Sequence, residues 1–167
     1  YIRYWLAGFL IHKADCIRVV SNRIRSSLNS KFQILNSRTY ILPIFTDITK
    51  FLKAPRDPKT EARFQNYSFK MIAVGRFVEK EKNFSMLIDM MRDFIKICPQ
   101  AVLIIVGDGP DKKDYESRIT NYGLKKNVIL ESTRYDLESF YKSFDLFLLS
   151  SNYEGWSRAV VEAMASG

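Results

Sequence analysis

The second half of the chain alternates with great regularity. Runs that are apolar, three of them after a polar first residue (Lys70, Asn127 and Asp145), stand at residues 70–74, 101–106, 127–130 and 145–149. Between them lie segments with apolar positions at helical spacing, at 84–98, 112–122 and 137–143, and a last one follows at the carboxy end. A strand that is apolar along its whole length is covered on both faces, and strands of that kind alternating with helices predict a parallel sheet between two helical layers. The expected fold class is α/β, with a Rossmann-like parallel sheet. In such sheets ligands bind beyond the carboxyl ends of the strands. The loops at Gly75, Gly107 and Ser150 are therefore expected along one rim.

The first third is patterned less regularly. Residues 1–14 read as the end of a helix, 16–20 as a short buried strand, and 23–32 as a helix for which Ser21 or Asn22 supplies the cap. A second β-prone run at 40–45 contains Pro43, which confines it to a strand end or an edge. Pro55 and Pro58 then stand among mixed charges, the composition of a linker. The expected organisation is the tail of one Rossmann-like domain at 1–52, a crossing at 53–67, and a second domain at 68–167. The chain opens without methionine inside a helical pattern and stops at Gly167 where a strand is due, so a fragment of a longer protein is expected.

Composition narrows the function classes. The chain has 167 residues, 47% hydrophobic and 26% charged, as in globular proteins. A net charge of +8 favours anionic partners, yet the basic residues are scattered and no long basic block is present. Phe77, Phe84, Tyr115 and Phe140 fall in patterns that suit core packing better than base stacking, which argues against nucleic acid. Cys16 and Cys98 are far apart and His12 is the sole histidine, so no metal site is expected and a reducing compartment is the simplest reading. The aromatic run at 4–11 is too short to span a bilayer and suits a helix packed on another domain.

Candidate chemistry gathers at the rim. Arg76 follows directly on a buried strand, where its guanidinium can fork onto phosphate oxygens, and Lys80 or Lys82 supplies a second cation. Gly107 opens a Gly-Asp-Gly-Pro turn whose leading explanation is structural. The final helix, expected to be buried on most sides, carries one acid, Glu162, which needs a charged or hydroxylic partner. A hydroxyl-rich ligand would serve, and so would Arg158 four residues earlier. Glu154 stands at the mouth of the preceding loop, and Gly155 leaves the first-turn N–H groups open to an anion.

Val-Gly-Arg at 74–76, Lys-Asn at 82–83, Val-Gly-Asp-Gly-Pro at 106–110, Ser-Ser-x-x-Glu-Gly at 150–155 and Glu-Ala-Met-Ala-Ser-Gly at 162–167 occur in that order. Together they resemble the donor-binding half of family 4 glycosyltransferases of the GT-B fold, densely over 69–167. Residues 14–21 and 41–47 resemble the closing segments of the acceptor-binding half. The resemblance implies that Glu162 holds the nucleotide ribose and Glu154 lies near the donor sugar. It further implies that Arg76 and Lys82 meet the diphosphate, with Gly75 and Gly107 on the same rim. The loop Gly155, Trp156, Ser157 and Arg158 would border sugar and phosphate. Arg76, Lys82 and Glu154 are then the catalytic candidates.

The implied reaction is transfer of a hexose from a UDP- or GDP-sugar to a hydroxyl on a glycan or lipid-linked acceptor, with the anomeric configuration retained and no cofactor. The chain contains no Asp-x-Asp dyad, consistent with a metal-independent mechanism. A cytoplasmic location is expected, with peripheral contact at an acidic inner membrane face compatible with the charge. The fragment alone is expected to be inactive. The competing readings are another enzyme on the same scaffold, such as an epimerase, synthase or phosphorylase, and a basic non-catalytic binding module.

Overall fold

The computed structural model describes residues 2–34 and 36–167. The start of the first helix at Tyr1 lies outside the described residues, as do the side chains of residues 2–4. The chain forms two compact units, one reaching to Phe45 with residues 155–157 added, the other comprising Thr46–Glu154 and Arg158–Gly167.

In the first unit α1 (Ile2–Ile11) precedes β1 (Ile17–Val19), α2 (Asn22–Phe32), a single 3-10 turn (Asn36–Arg38) and β2 (Thr39–Ile41). The two strands pair in parallel, Ile17 opposite Thr39. Ser21 is the cap of α2, its hydroxyl accepting from the Ile24 N–H at 3.4 Å. Gln33 ends that helix in the left-handed region. Pro43 falls beyond β2, as its missing N–H requires.

The second unit opens with α3 (Thr49–Lys53) and α4 (Pro58–Arg63) and continues as β3 (Phe69–Val74), α5 (Glu79–Lys82), α6 (Phe84–Phe94) and β4 (Ala101–Val106). Then come α7 (Lys112–Asn121), β5 (Val128–Glu131), α8 (Leu137–Tyr141), β6 (Leu146–Phe147) and α9 (Arg158–Ser166). All pairings in its sheet are parallel, and the strand order is β5-β4-β3-β6. Alternate residues of each strand feed opposite cores. Met71, Ala73, Leu103 and Ile105 face Phe84, Ile88, Met91 and Tyr115 from α6 and α7. Ile72, Val102, Ile104 and Val106 face Phe51, Phe64, Phe140 and Phe144. β4 is buried at all six positions, which is why its sequence shows no alternation.

The structure adds four points to these expectations. Residues 53–67 do not form an irregular crossing: Asp57 caps α4 through the N–H groups of Lys59 and Thr60, and Pro58 takes the first turn, where its missing N–H is harmless. Phe51 and Phe64 are core residues of the second unit, and the division between units falls after Phe45. The loop 75–83 contains α5. Finally, α9 is not buried on most sides. Its buried residues are Glu162 and Ser166, and Met164 is exposed.

Candidate functional site

The order β5-β4-β3-β6 reverses direction at β3, since successive strands step outward on one side and β6 then joins on the other. At such a reversal the loops leaving the two strands that meet there diverge and open a crevice. Here those loops are 75–83 after β3 and 148–154 after β6. They are tied together: the Ser150 hydroxyl donates to the Lys82 carbonyl at 2.7 Å, and the Asn152 N–H donates to the Glu81 carbonyl at 2.9 Å. Within this frame the Lys82 ammonium donates to Glu154, which also accepts a 3.4 Å bond from the Ser151 hydroxyl. The side chains of Lys82 and Glu154 keep 17% and 23% exposure, so their attraction is less screened than that of a surface pair.

Lys82 owes its position to α5. The Glu79 carboxylate accepts from the Tyr115 hydroxyl at 2.9 Å and from the Ser85 N–H at 3.3 Å, while the Glu79 N–H donates to Asp111 at 2.7 Å. Burial, with the Glu79 carboxylate second, pushes the Tyr115 phenol well above its usual range, so it remains a donor. Lys80, one residue after Glu79, is exposed. Of the two lysines, Lys82 is the one that reaches Glu154. Asn83 takes φ 51° where α5 turns into α6, a value asparagine tolerates better than most residues.

The Gly107 turn backs the same rim. A Cβ on Gly107 would lie 1.9 Å from the Gly75 carbonyl oxygen, and one on Gly109 would lie 2.5 Å from the Phe77 carbonyl oxygen. The Phe77 N–H in turn donates to the Asp108 carbonyl at 2.8 Å. These glycines let two loops run in contact, in keeping with the structural reading of the turn. Arg76 projects from this junction with 72% of its side chain exposed, and its guanidinium meets Glu81 at 2.7 Å. A cleft of about 170 Å³ lies beside it, lined by Gly75, Arg76, Gly107, Thr133, Arg134 and Leu137 among others.

Arg134 was not singled out from the sequence. It grips Asp136 through two nitrogens at 2.9 and 2.6 Å and lies over the Phe140 ring at 4.1 Å. A cation in a polar loop carries no distinguishing sequence signal.

Glu162 sits apart from the Lys82–Glu154 pair, on α9 where that helix packs against α3 and α8. Arg158, itself 64% exposed, reaches it at 3.4 Å, so the helical ion pair weighed from the sequence is formed. Burial raises the Glu162 carboxyl above its usual value, while Arg158, Lys50 and the Tyr141 phenol act against that rise. Gly155, Trp156 and Ser157 belong to the first unit, where a Cβ on Gly155 would meet Val20 at 3.2 Å. Among the described residues, no group of three His, Cys, Asp or Glu could hold a metal ion, and no helix is long and apolar enough to cross a membrane.

Known proteins carry the same pattern. Residues 56–167 match the family described as glycosyl transferases group 1. An uncharacterized glycosyltransferase, MJ1059 of Methanocaldococcus jannaschii, is 30% identical over 155 residues, covering 91% of this chain and 38% of that protein. The amylovoran biosynthesis glycosyltransferase AmsD of Erwinia amylovora is 27% identical, covering 95% of this chain and 43% of the relative. Among solved structures, Anabaena Alr3699/HepE in complex with UDP-glucose superposes with a TM-score of 0.82 at 21% identity, over 98% of this chain and 46% of its own. The lipopolysaccharide-biosynthesis glycosyltransferase WaaG gives 0.71 at 18%, over 89% and 41%. The chain thus spans less than half the length of these relatives, and its fold is that of GT-B glycosyltransferases. With its Rossmann-ordered sheet and a family match over two thirds of its length, the chain belongs to the glycosyl transferases group 1 family.

Proposed function

We propose that this chain supplies most of the donor-binding half, and the end of the acceptor-binding half, of a retaining, metal-independent glycosyltransferase. It moves a hexose from a UDP- or GDP-sugar to a hydroxyl of a glycan or lipid-linked acceptor. The observation that carries this reading is the pairing of Lys82 with Glu154 at the strand-order reversal of the sheet. A cation for a diphosphate and an acid for sugar hydroxyls stand together where such folds bind nucleotides.

As the bond between sugar and diphosphate breaks, negative charge grows on the leaving oxygen. Lys82 and Arg76 are the cations that meet it, and a charge fixed in advance stabilises a transition state without reorganising. Transfer of Lys82 from Glu154 to the diphosphate leaves the Glu154 carboxylate free to accept from the donor sugar. Glu162 accepts from the ribose hydroxyls. The loop 155–158 lines sugar and phosphate, with the N-terminus of α9 contributing its backbone N–H groups. Related proteins support the substrate class. HepE has been solved with UDP-glucose, and an Escherichia coli relative 29% identical over 133 residues is named a UDP-Gal:alpha-D-GlcNAc-diphosphoundecaprenol alpha-1,3-galactosyltransferase. Lipid acceptors also occur among relatives named alpha-monoglucosyldiacylglycerol synthase, which favours a peripheral role at a cytoplasmic membrane face.

The test is calorimetric titration of UDP and GDP into the intact protein. Saturable binding of one of them, undiminished by chelator, is expected. Product anomers resolved by NMR should keep the configuration of the donor. Absence of binding to both nucleotides, or an inverted product, would refute the reading.

A further inference from the structure

α5 is a single turn, and a helix of that length does not hold itself. Val78 at its start makes no side-chain cap, and none of its four residues is buried. Its place is therefore set by bonds from outside. At the carboxy end the Ser150 hydroxyl and the Asn152 N–H meet the Lys82 and Glu81 carbonyls, and the Asn152 amide donates to the Lys80 carbonyl at 3.3 Å. At the amino end the bonds converge on Glu79. Its N–H donates to the Asp111 carboxylate at 2.7 Å. One oxygen of its own carboxylate accepts from both the Tyr115 hydroxyl at 2.9 Å and the Ser85 N–H at 3.3 Å. The second of these caps α6 from outside that helix, since the side chain of Asn83 at its start makes no capping bond. The Tyr115 ring is 1% exposed and stands edge-on to Phe77 and Phe84, with centroids 5.6 and 6.0 Å away, so its hydroxyl is held towards Glu79.

Lys82 is the last residue of this turn. Its stem passes over Gly75, where a Cβ would lie 3.3 Å from the Lys82 Cε, and its ammonium arrives at Glu154. The direction of that stem depends on where α5 sits. We propose that Glu79 is a positioning residue for Lys82: it anchors the one turn that delivers the ammonium to the crevice, and it does so by accepting hydrogen bonds, not by its charge. This rests on the reading of Lys82 as a cation for the donor diphosphate. Displacing a group that must meet a phosphate by about 1 Å can cost about a hundredfold in rate, so an anchor away from the ligand still governs the contact.

The intact protein is titrated calorimetrically with UDP and GDP as wild type, Glu79→Ala, Glu79→Gln, Tyr115→Phe, Lys82→Ala and the double variant Glu79→Ala with Lys82→Ala, and Tm is measured for each. Lys82→Ala should weaken nucleotide binding about tenfold, the lower end for a hydrogen bond to a charged group. Glu79→Ala should weaken it about fivefold, since the ammonium is displaced and not removed. In the Lys82→Ala background it should add less than about twofold, because the two residues act as a unit. Glu79→Gln should stay within about twofold of wild type: both donors meet the same oxygen, and a glutamine has one to offer. Tyr115→Phe keeps the ring and removes one donor, so it should weaken binding about threefold, and it decides the matter if Glu79→Ala does not fold. A residue that serves folding alone would lower Tm and leave the affinity of the folded protein unchanged. Affinity unaltered in these variants, a Glu79→Gln as weak as Glu79→Ala, or a loss that persists in full in the Lys82→Ala background overturns the role of Glu79 while leaving the donor reading intact. Failure of the wild type to bind either nucleotide, or of Lys82→Ala to weaken that binding, overturns the diphosphate reading of Lys82, and the role of Glu79 with it.

Discussion

Gly107→Ala tests whether the rim is as tightly built as the backbone suggests. The added Cβ would lie 1.9 Å from the Gly75 carbonyl oxygen, with the Phe77 ring 3.0 Å away on another side. A close carbon–oxygen contact is about 3.3 Å, so the two loops must separate by roughly 1.4 Å. No flexible side chain can absorb this, because the obstructing atom is backbone. The Gly107 N–H is held by the Glu131 carbonyl at 2.9 Å and the Gly75 N–H by the Val106 carbonyl at 3.0 Å, so either loop that moves strains a sheet-end hydrogen bond. Overpacking of this kind costs about 2–3 kcal/mol. For a unit of this size that corresponds to a fall of roughly 10 °C in Tm.

Function should suffer separately, since Arg76 is attached to the displaced residue. Gly123→Ala is the control: Gly123 has φ 68° with nothing within 4 Å of its Cβ position, and it lies between α7 and β5 at the far end of the sheet. It should cost about 1 kcal/mol through backbone strain alone, with nucleotide affinity unchanged. Thermal unfolding and UDP or GDP titration of both variants decide the matter. If Gly107→Ala is as stable as wild type and binds nucleotide equally well, the close approach of the two loops is not what holds the rim.

Three further outcomes are expected. Arg76→Ala and Lys82→Ala should each lower kcat by about tenfold to a thousandfold, as loss of one prepositioned charge does, while shifting Tm far less; parallel loss of stability and activity would mark them as structural cations. Glu162→Gln should alter the dependence of stability on pH. The folded-state carboxyl is raised by burial above the ordinary 4.5, so the native state binds its proton more tightly than the unfolded chain. Stability from this group is complete below about 4.5 and is lost as pH rises through the folded value. Urea midpoints across pH should show that loss in wild type, and its persistence in Glu162→Gln would refute the cause assigned to it. Asp57→Ala, which removes the cap of α4, should cost about 1 kcal/mol without changing nucleotide affinity.

The central strands were legible because burial on both faces leaves a signature: 101–106 is apolar without a break and forms β4 to the residue. Shorter elements were less so. The apolar run at 145–149 gives β6 only two residues, since Leu146 pairs with Met71 and Phe147 with Ile72 before the chain bends away to the rim. Residues 53–67 misled because proline serves linkers and helix starts alike, and only the Asp57 contacts tell them apart. In the site, an acid after a β6-type strand and a basic residue after β3 announce themselves by position on a parallel sheet. Glu81 does not. It is a charge among charges, and its partner Arg76 lies in a direction that sequence spacing does not give.

The cations around this rim come with acids already in place: Arg76 with Glu81, Lys82 with Glu154, Arg134 with Asp136 and Arg158 with Glu162. On the function proposed above, an incoming diphosphate exchanges partners with these cations, and the net charge of +8 measures little of what the site would offer an anion. The exchange differs from pair to pair. Arg76 and Glu81 are 72% and 42% exposed, and a pair so open to water contributes about 0–1 kcal/mol, so Arg76 is easily redirected. Lys82 and Glu154 are sheltered at the crevice, where a lone charge is costly. Moving Lys82 onto a phosphate leaves Glu154 in need of donors, and the hydroxyls of a sugar attached to that phosphate are donors at the right place. A free nucleotide satisfies only the cation. On the function proposed above, the full nucleotide sugar satisfies both members of the pair, and this coupling, more than any single contact, would let the crevice favour a donor substrate over its product.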